Sequence, residues 1–349
     1  IKPLEEIYKG INGVVYKHTY FIASIKDTIE SVDNINYIEK GGYLNSEIST
    51  VKCFNLTECQ KIIRPYYLSK LNAIKKGFQI IPLFGDELTL EDCNQCDCIF
   101  CIFEGTYAFE HGGQEYYQHL RNILSKTSAQ VFPSQKMQDF IIKKHQYMRY
   151  LKKKGYDIPP THFIKPDSYK IQTIMKFIEK NKFKNIVIKP ELVGFKKGFK
   201  IIKNVTQKKV EDYLQKMKKE GYQNVLLQPF LEDFNKFGEI KTYWVGGKNM
   251  YSYKQQWEGS EGVIYPQEKI DKQLLKKCLD TAKNVIDDLK KDYEELIHVR
   301  VDFACCVDNE NQCRDFFINE IEINPALAEE DDPVRGFSPL VKEILSRCS

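Results

Sequence analysis

No apolar run in this sequence reaches the roughly 18 residues that a bilayer-spanning helix needs, and nothing after Ile1 resembles a charged n-region followed by an apolar stretch. No membrane span and no secretory leader is therefore expected, and the cytoplasm is the expected compartment. Charge of one sign is missing too: 52 basic residues face 48 acidic ones, for a net charge of +4. So even a balance supplies no global field for nucleic acid or an anionic membrane, and neither is an expected partner. Internal repeats and low-complexity tracts are absent. The chain begins at Ile1 and not at methionine, so a piece of a longer protein, with a targeting segment ahead of it, stays open as a reading.

Cysteine, by contrast, is plentiful. Eleven in 349 residues is an odd number, and the chain lacks the short, loop-rich character of a disulfide scaffold, so reduced thiols are the simpler reading. Cys93, Cys96, Cys98 and Cys101 have the spacing to offer four thiolates to zinc. The run Cys98-Ile99-Phe100-Cys101-Ile102-Phe103 reads more readily as a buried strand, so core or free thiols are favoured over a metal cluster. With 42% apolar and 13% aromatic residues the chain is globular and long enough for two or three domains.

Three parts are expected. Residues 1–130 carry short apolar strands (14–16, 19–23, 79–83, 98–103) alternating with helical stretches such as 59–76, the pattern of an open, mostly parallel α/β layer. Residues 131–228 begin with one amphipathic helix over 135–154, capped by Ser134 and ended by Gly155. A small α+β unit follows, with helices at 171–181 and 206–220 and strands at 185–189, 199–203 and 225–230. Residues 229–349 offer strands at 239–245 and 249–257, a long helix at 267–293, a hairpin and a closing helix.

That hairpin carries the chemistry. Its strands hold Arg300-Val301-Asp302-Phe303 and Glu320-Ile321-Glu322-Ile323-Asn324-Pro325. Alternation sets Arg300 and Asp302 on one face of the first strand and Glu320, Glu322 and Asn324 on one face of the second. If the two faces coincide, several carboxylates and an amide oxygen converge, a coordination set for a hard divalent cation. Without a cation such acids would repel, so removing one is expected to relieve the free protein. Lys189 ends the strand Ile186-Val187-Ile188 beside a loop with Gly194 and Gly198, a placement that can bring one positive charge and backbone N–H groups to a polyphosphate. Gln228-Pro229-Phe230-Leu231 leave the small unit as a chain edge able to meet a planar base.

The succession of Lys144 before Gly155, Lys189-Pro190, Gln228 to Leu231, Gly238-Glu239-Ile240-Lys241, Arg300-Val-Asp302 and Glu320-Ile-Glu322-Ile-Asn324-Pro325 resembles the ATP-grasp superfamily over residues 144–325. Among its members, D-alanine ligases and glutathione synthetases also carry a small N-terminal α/β domain, which Phe103-Glu104-Gly105 and Glu110-His111-Gly112-Gly113 bring to mind; tubulin tyrosine ligase-like enzymes are more distant. The fold class implied is α/β and α+β: an ATP-grasp fold behind an N-terminal open parallel-sheet (pre-ATP-grasp) domain, with 131–228 as linker helix and lid and 229–349 as the metal and nucleotide subdomain.

The resemblance implies ATP and Mg2+ as cofactors, two ions with Mn2+ as an alternative. Lys144 and Lys189 match the phosphate-binding lysines, and residues 191–198, with Gly194 and Gly198, the flap. Gln228, Pro229, Phe230 and Leu231 match the adenine hinge, with the Leu231 N–H as donor. Asp302, Glu322 and Asn324 match the metal ligands, and Arg300 the cation that steadies the transferred phosphate. Lys241 stands where peptide-forming members carry arginine, and the flap is richer in lysine (Lys196, Lys197) than in many members. Glu320 is an extra acid: a third ligand, a base or an exposed strand residue, the last slightly favoured.

The activity implied is an ATP-dependent carboxylate–amine ligase acting through an acyl phosphate on small-molecule or peptide carboxylates and amines, with an acidic protein tail as a further candidate substrate. A small-molecule kinase of the inositol-phosphate type, clamping its acceptor with Lys196, Lys197, Lys200 and Lys203, and a non-catalytic nucleotide-binding scaffold are the alternatives. Tyr251, Tyr253, Lys254 and Trp257 are candidate acceptor-pocket residues, with packing as their commoner role. The acidic run 329–332 reads as a solvated loop.

Overall fold

The computed structural model describes residues 19–25, 78–84, 89–96, 98–100, 113–191, 198–231, 234, 237–258, 261–307, 313–323, 343 and 346–347. Their strands form three sheets. The first contains β1 (Thr19–Ile25), β2 (Phe78–Phe84), β3 (Cys98–Phe100) and β4 (Gln130–Phe132), with α1 (Leu90–Asn94) before β3 and α2 (Gly113–Leu124) before β4. Its order is β2-β1-β3-β4. Only β3 and β4 run parallel; β1 is antiparallel to both β2 and β3. The sheet is therefore mixed where a mostly parallel layer was expected. Alternating strands and helices show where a crossover can occur but not which strands it joins, and here the crossover through α2 closes only the β3–β4 pair. Cys93 and Cys96 are buried in the core beneath this sheet, with Ile99, Leu120 and Leu124. Burial, then Cys96 and Asp92, pushes the Cys93 thiol up to about 12, so it stays protonated and packs as a small apolar group. The expected strand at 14–16, the helix at 59–76 and Cys101 lie outside the described residues.

The single helix expected at 135–154 is two. Lys143, at φ −80° and ψ 83°, separates α3 (Gln135–Ile142) from α4 (Lys144–Lys154). Apolar spacing runs on across the joint, so the pattern alone does not betray the break. Ser134 caps α3 by accepting from the Met137 N–H at 3.3 Å. Gly155, left-handed at φ +87°, ends α4 with the Tyr156 N–H returning to the Leu151 carbonyl.

The second sheet, β5-β8-β6-β7 and wholly antiparallel, is built from β5 (His162–Ile164), β6 (Ile186–Pro190), β7 (Lys200–Ile202) and β8 (Val225–Pro229). Its helices are α5 (Ile171–Lys180) and α6 (Gln207–Lys219). Ile186, Ile188, Ile202, Val225 and Leu227 pack under Ile174, Ile178, Val210, Leu214 and Met217. Alternation turns Val187, Lys189, Leu226 and Gln228 to the opposite face.

The third sheet, β11-β10-β9-β12-β13, is also antiparallel throughout. It comprises β9 (Glu239–Val245), β10 (Lys248–Glu258), β11 (Glu261–Pro266), β12 (His298–Val307) and β13 (Cys313–Ile323). Strand β11 was not expected; its signal is Gly259-Ser260, a Gly-X pair between two alternating runs. The long helix starts later than expected, as α7 (Lys272–Asp292), because Asp271 accepts from the Leu274 N–H at 2.8 Å and a 3-10 turn occupies Gln267–Lys269. Leu275, Cys278, Ala282, Val285 and Leu289 fall on one stripe of α7 and meet Ile240, Val299, Val301, Phe303 and Ile321. Met137, Phe140, Tyr147, Met148 and Leu151 of α3 and α4 join the same core. One face of the third sheet is thus sealed in apolar contact. The other is free for polar work.

Candidate active site

On the polar face, register decides which side chains meet. Arg300 lies opposite Glu322 and Asp302 opposite Glu320 on β13, while on the other flank Arg300 faces Tyr243 and Asp302 faces Lys241. The two polar faces of the hairpin therefore coincide. A bulge at Asn319 then breaks the alternation: Asp302 pairs with Glu320 but Phe303 pairs with Ile318. Asn319 and Glu320 both avoid the core as a result, and the Asn319 amide donates to Glu239.

Asp302 is fully buried and holds two cations. Arg300 grips it bidentately, Nε to Oδ1 at 2.7 Å and Nη2 to Oδ2 at 2.8 Å, and Lys241 Nζ adds a bond to Oδ2 at 2.8 Å. Arg300 also pairs with Glu322, and Lys241 lies 3.3 Å from Glu239 Oε2. Burial raises Glu322 and Glu239 above the ordinary carboxyl range, against the pull of Arg300 and Lys241 respectively. Burial would lower Lys241, but Asp302 and Glu239 overcome that and raise it. The acids do not crowd one another uncompensated, contrary to expectation, because cross-strand neighbours of opposite sign separate them.

Two lysines enter from outside this sheet. Lys144, at the first turn of α4, donates to Glu320. Lys189 comes from β6 in the second sheet. Burial and then Lys144 bring Lys189 down to about 8, with Glu320 and Glu239 opposing. Burial would raise Glu320, yet Lys144 and Lys189 hold its carboxyl at about 2. Glu320 is thus a partly buried, ion-paired member of the cluster and not the exposed strand residue that was favoured; it shares the polar face with Glu322 by regular alternation. Two further residues join to which no role is assigned from sequence, Glu239 and Asn319. Glu239 alternates with Lys241 on β9, a legible sign; Asn319 depends on the bulge, which no local pattern announces.

The remaining candidates frame the cluster. Gln228, at the end of β8, is buried and donates to Thr161 Oγ1 at 2.9 Å. Pro229 ends that strand, and the Phe230 N–H is committed to the Asn185 carbonyl at 3.0 Å, with Leu231 next in the chain. Gly198, at φ +65°, closes the flap segment: a Cβ there would sit 2.6 Å from Pro190 Cγ, and Tyr213 donates to its carbonyl at 2.7 Å. Gly194 and Asn324 lie outside the described residues, as do Lys196, Lys197 and the acidic run. Lys200 and Lys203 are exposed beside a shallow groove of about 420 Å3 at the edge of β7, which Ile201, Lys209, Asp212 and Tyr213 also line.

Beyond Arg300 the face turns aromatic. Its guanidinium lies 5.6 Å from the Tyr243 ring centre, Tyr243 stacks on Tyr251 at 4.4 Å, and the Tyr243 and Tyr253 hydroxyls are 3.3 Å apart. Lys254 points to the other face, over Tyr265. Trp257 lies in β10, though its side chain is outside the described set. Burial, then Arg300, lowers His298 to about 3, so its ring is neutral at physiological pH.

No known family profile matches the chain. A stretch of 81 residues is 33% identical to the "Putative mRNA-decapping protein" of Acanthamoeba polyphaga mimivirus, covering 23% of this chain and 21% of that protein. The chain thus matches about a fifth of that relative's length. Among solved structures it is similar to D-cycloserine synthetase DcsG, at 16% identity and TM-score 0.56, over 74% of this chain and 86% of that one. It is also similar to D-alanine–D-alanine ligase from Bacillus anthracis complexed with ATP, at 14% identity and TM-score 0.52, over 74% and 81%. VanG D-Ala:D-Ser ligase from Enterococcus faecalis is similar at 15% identity and TM-score 0.52, over 66% and 68%. At such identities the likeness is one of fold, not of substrate. No described helix is long and apolar enough to cross a membrane. The sheet topology, the ion cluster and these neighbours together give one conclusion: the chain has the ATP-grasp fold.

Proposed function

We propose that this protein is an ATP-dependent carboxylate–amine ligase. The observation that carries the reading is the meeting of Lys144 and Lys189 with Arg300, Asp302, Glu320 and Glu322 on one sheet face, from three separate parts of the fold. A scaffold has no use for so many charges gathered around a buried carboxylate, since withdrawing them from water costs solvation.

Lys144 and Lys189 would bind the phosphates, and Gly194 and Gly198 would let the flap approach them closely. Gln228 to Leu231 would meet the adenine edge; Phe230 has spent its N–H on Asn185, which leaves the Leu231 N–H as the hinge donor. Asp302, Glu322 and Asn324 would hold magnesium, or manganese in its place. Their chemistry fits, because magnesium is bound through one or two carboxylates plus substrate phosphates and not by an all-protein cage. Among the described residues no group of three or more His, Cys, Asp or Glu forms such a cage. When bound, the metal ions, two in this reading, spread the charge of the γ-phosphate.

A substrate carboxylate oxygen attacks the γ-phosphorus, the bond to the β-phosphate oxygen breaks, and ADP leaves. An amine then forms its bond to the acyl carbon, the bond from that carbon to the phosphate oxygen breaks, and inorganic phosphate departs with the proton the amine gives up. Arg300 and Lys241 neutralise charge on the transferred group, and the flap excludes water. No protein nucleophile is required. The acids and amines in this reading are small molecules or peptide groups, with an acidic protein tail among the candidates to be screened.

The test is a screen of acids paired with amines for ADP formation, with products weighed. Condensation mass shifts that need the amine support the ligase. Gain of one phosphate by the acceptor would replace it with a kinase, and nucleotide binding with no turnover across the panel would replace it with a binding module.

A further inference from the structure

We propose that Glu320 is a built-in stand-in for phosphate: in the free protein its carboxylate neutralises Lys144 and Lys189, and an incoming polyphosphate must take their charge from it. This rests on the reading of both lysines as phosphate ligands and adds to it a positioning residue that competes with the ligand.

The geometry is specific. Lys144 enters from α4 and Lys189 from β6, so no shared element holds them together. Two ammonium groups brought into one buried space repel, and each lowers the other's affinity for its proton. Glu320 offsets this directly: it accepts from Lys144 and acts on Lys189 through space. The remaining acids are already engaged. Asp302 is held by Arg300 and Lys241, Glu322 by Arg300, and Glu239 by Lys241 and Asn319. Of the four, only Glu320 acts on both lysines, Glu239 reaching Lys189 and Glu322 reaching Lys144, and regular alternation with Glu322 sets it on their face of β13. A polyphosphate carries more charge and more acceptor oxygens than one carboxylate, so it can win Lys144. The contest still costs affinity, because the displaced Glu320 is left near Glu239, Asp302 and Glu322.

The contest can be measured with inorganic tripolyphosphate and ATP, each in excess EDTA, against the wild-type chain and Glu320→Gln by calorimetry. Glutamine keeps the volume and removes the competing charge. Glu320→Gln is expected to bind tripolyphosphate at least about tenfold more tightly than wild type, the size of a ~1.4 kcal/mol change. The gain should vanish in Glu320→Gln/Lys144→Gln. Unchanged or weaker binding in the single variant, or a gain that survives loss of Lys144, overturns the proposal. Glu320→Asp, which retains the charge but shortens its reach, serves if the glutamine variant does not fold, and should show an intermediate gain; wild-type affinity there counts against. Failure of the nucleotide reading looks different: Glu320→Gln would tighten tripolyphosphate while ATP bound no better than tripolyphosphate does.

Discussion

Asp302 is fully buried and carries three charge-assisted hydrogen bonds, two from Arg300 and one from Lys241. Removing its charge would leave two buried cations facing a neutral amide, so Asp302→Asn is expected to destabilise the free protein by about 3–5 kcal/mol while abolishing ATP turnover. Chemical denaturation measures the first effect and ADP formation the second; stability equal to wild type would refute the ion-pair account. The idea that losing a crowded carboxylate relieves the protein holds only for acids without neighbours of opposite sign. Lys189 makes a separate claim. With its ammonium brought down to about 8, between Lys144, Glu320 and Glu239, it loses charge as pH rises through that value. The free protein then lacks a proton that the phosphate-bound form needs, so nucleotide affinity should fall by up to about tenfold per pH unit above 8. Arginine stays charged, so Lys189→Arg should flatten that slope. A wild-type affinity independent of pH between 7 and ~9.5 would remove Lys189 from the phosphate site.

At the scale of elements, β9 is held in place by a glycine. Gly238 has φ +73°, and a Cβ there would lie 2.0 Å from the Gln255 carbonyl oxygen. Gly238→Ala forces either the backbone out of the left-handed region or β10 away from β9, and both strands carry site residues. The expected cost is at least ~2 kcal/mol, combining left-handed strain with a backbone clash, and is checked by thermal melting. Gly155, equally left-handed but with nothing within 4 Å of its Cβ position, should suffer only the strain. Similar losses in the two variants would show that packing between β9 and β10 adds nothing. The bulge at Asn319 belongs to this scale too. It moves one residue out of register and thereby sets Asn319 beside Glu320 on the polar face, where it donates to Glu239.

Across the whole molecule, the cluster lies where two cores meet, with Leu226 and Phe163 of the second sheet also packing into the core of the third. Lys189 belongs to the sheet covered by α5 and α6, whereas Glu320 and Asp302 belong to the sheet covered by α7, and α4 brings Lys144 from alongside the latter. A ligand seated on both lysines and on the hairpin would therefore stabilise both cores. ATP with magnesium at 100 times its dissociation constant should raise unfolding free energy by about 2.7 kcal/mol, and Lys144→Gln/Lys189→Gln should lose the effect. A melting temperature that saturating nucleotide leaves unmoved would remove the proposed activity.

Much of this was legible in the chain. Alternation and turn residues placed β9, β10, β12 and β13, Ser134 and Thr206 marked their helix starts, and the order of Lys144, Lys189, Gln228, Arg300 and Asp302 pointed to one fold. These are local signals: side-chain period, capping chemistry and spacing along the chain. The tertiary structure alone decided the directions of the N-terminal strands, the break at Lys143, and the charge partners within the cluster. Those depend on which strands become neighbours and on where a ladder slips by one residue. Ion pairing falls steeply with distance, so a sequence can supply four acids and four cations without saying which acid neutralises which cation. Glu320 shows the difference: its residue type and strand face were evident from the start, and its partnership with Lys144 came only from the approach of α4 to the hairpin.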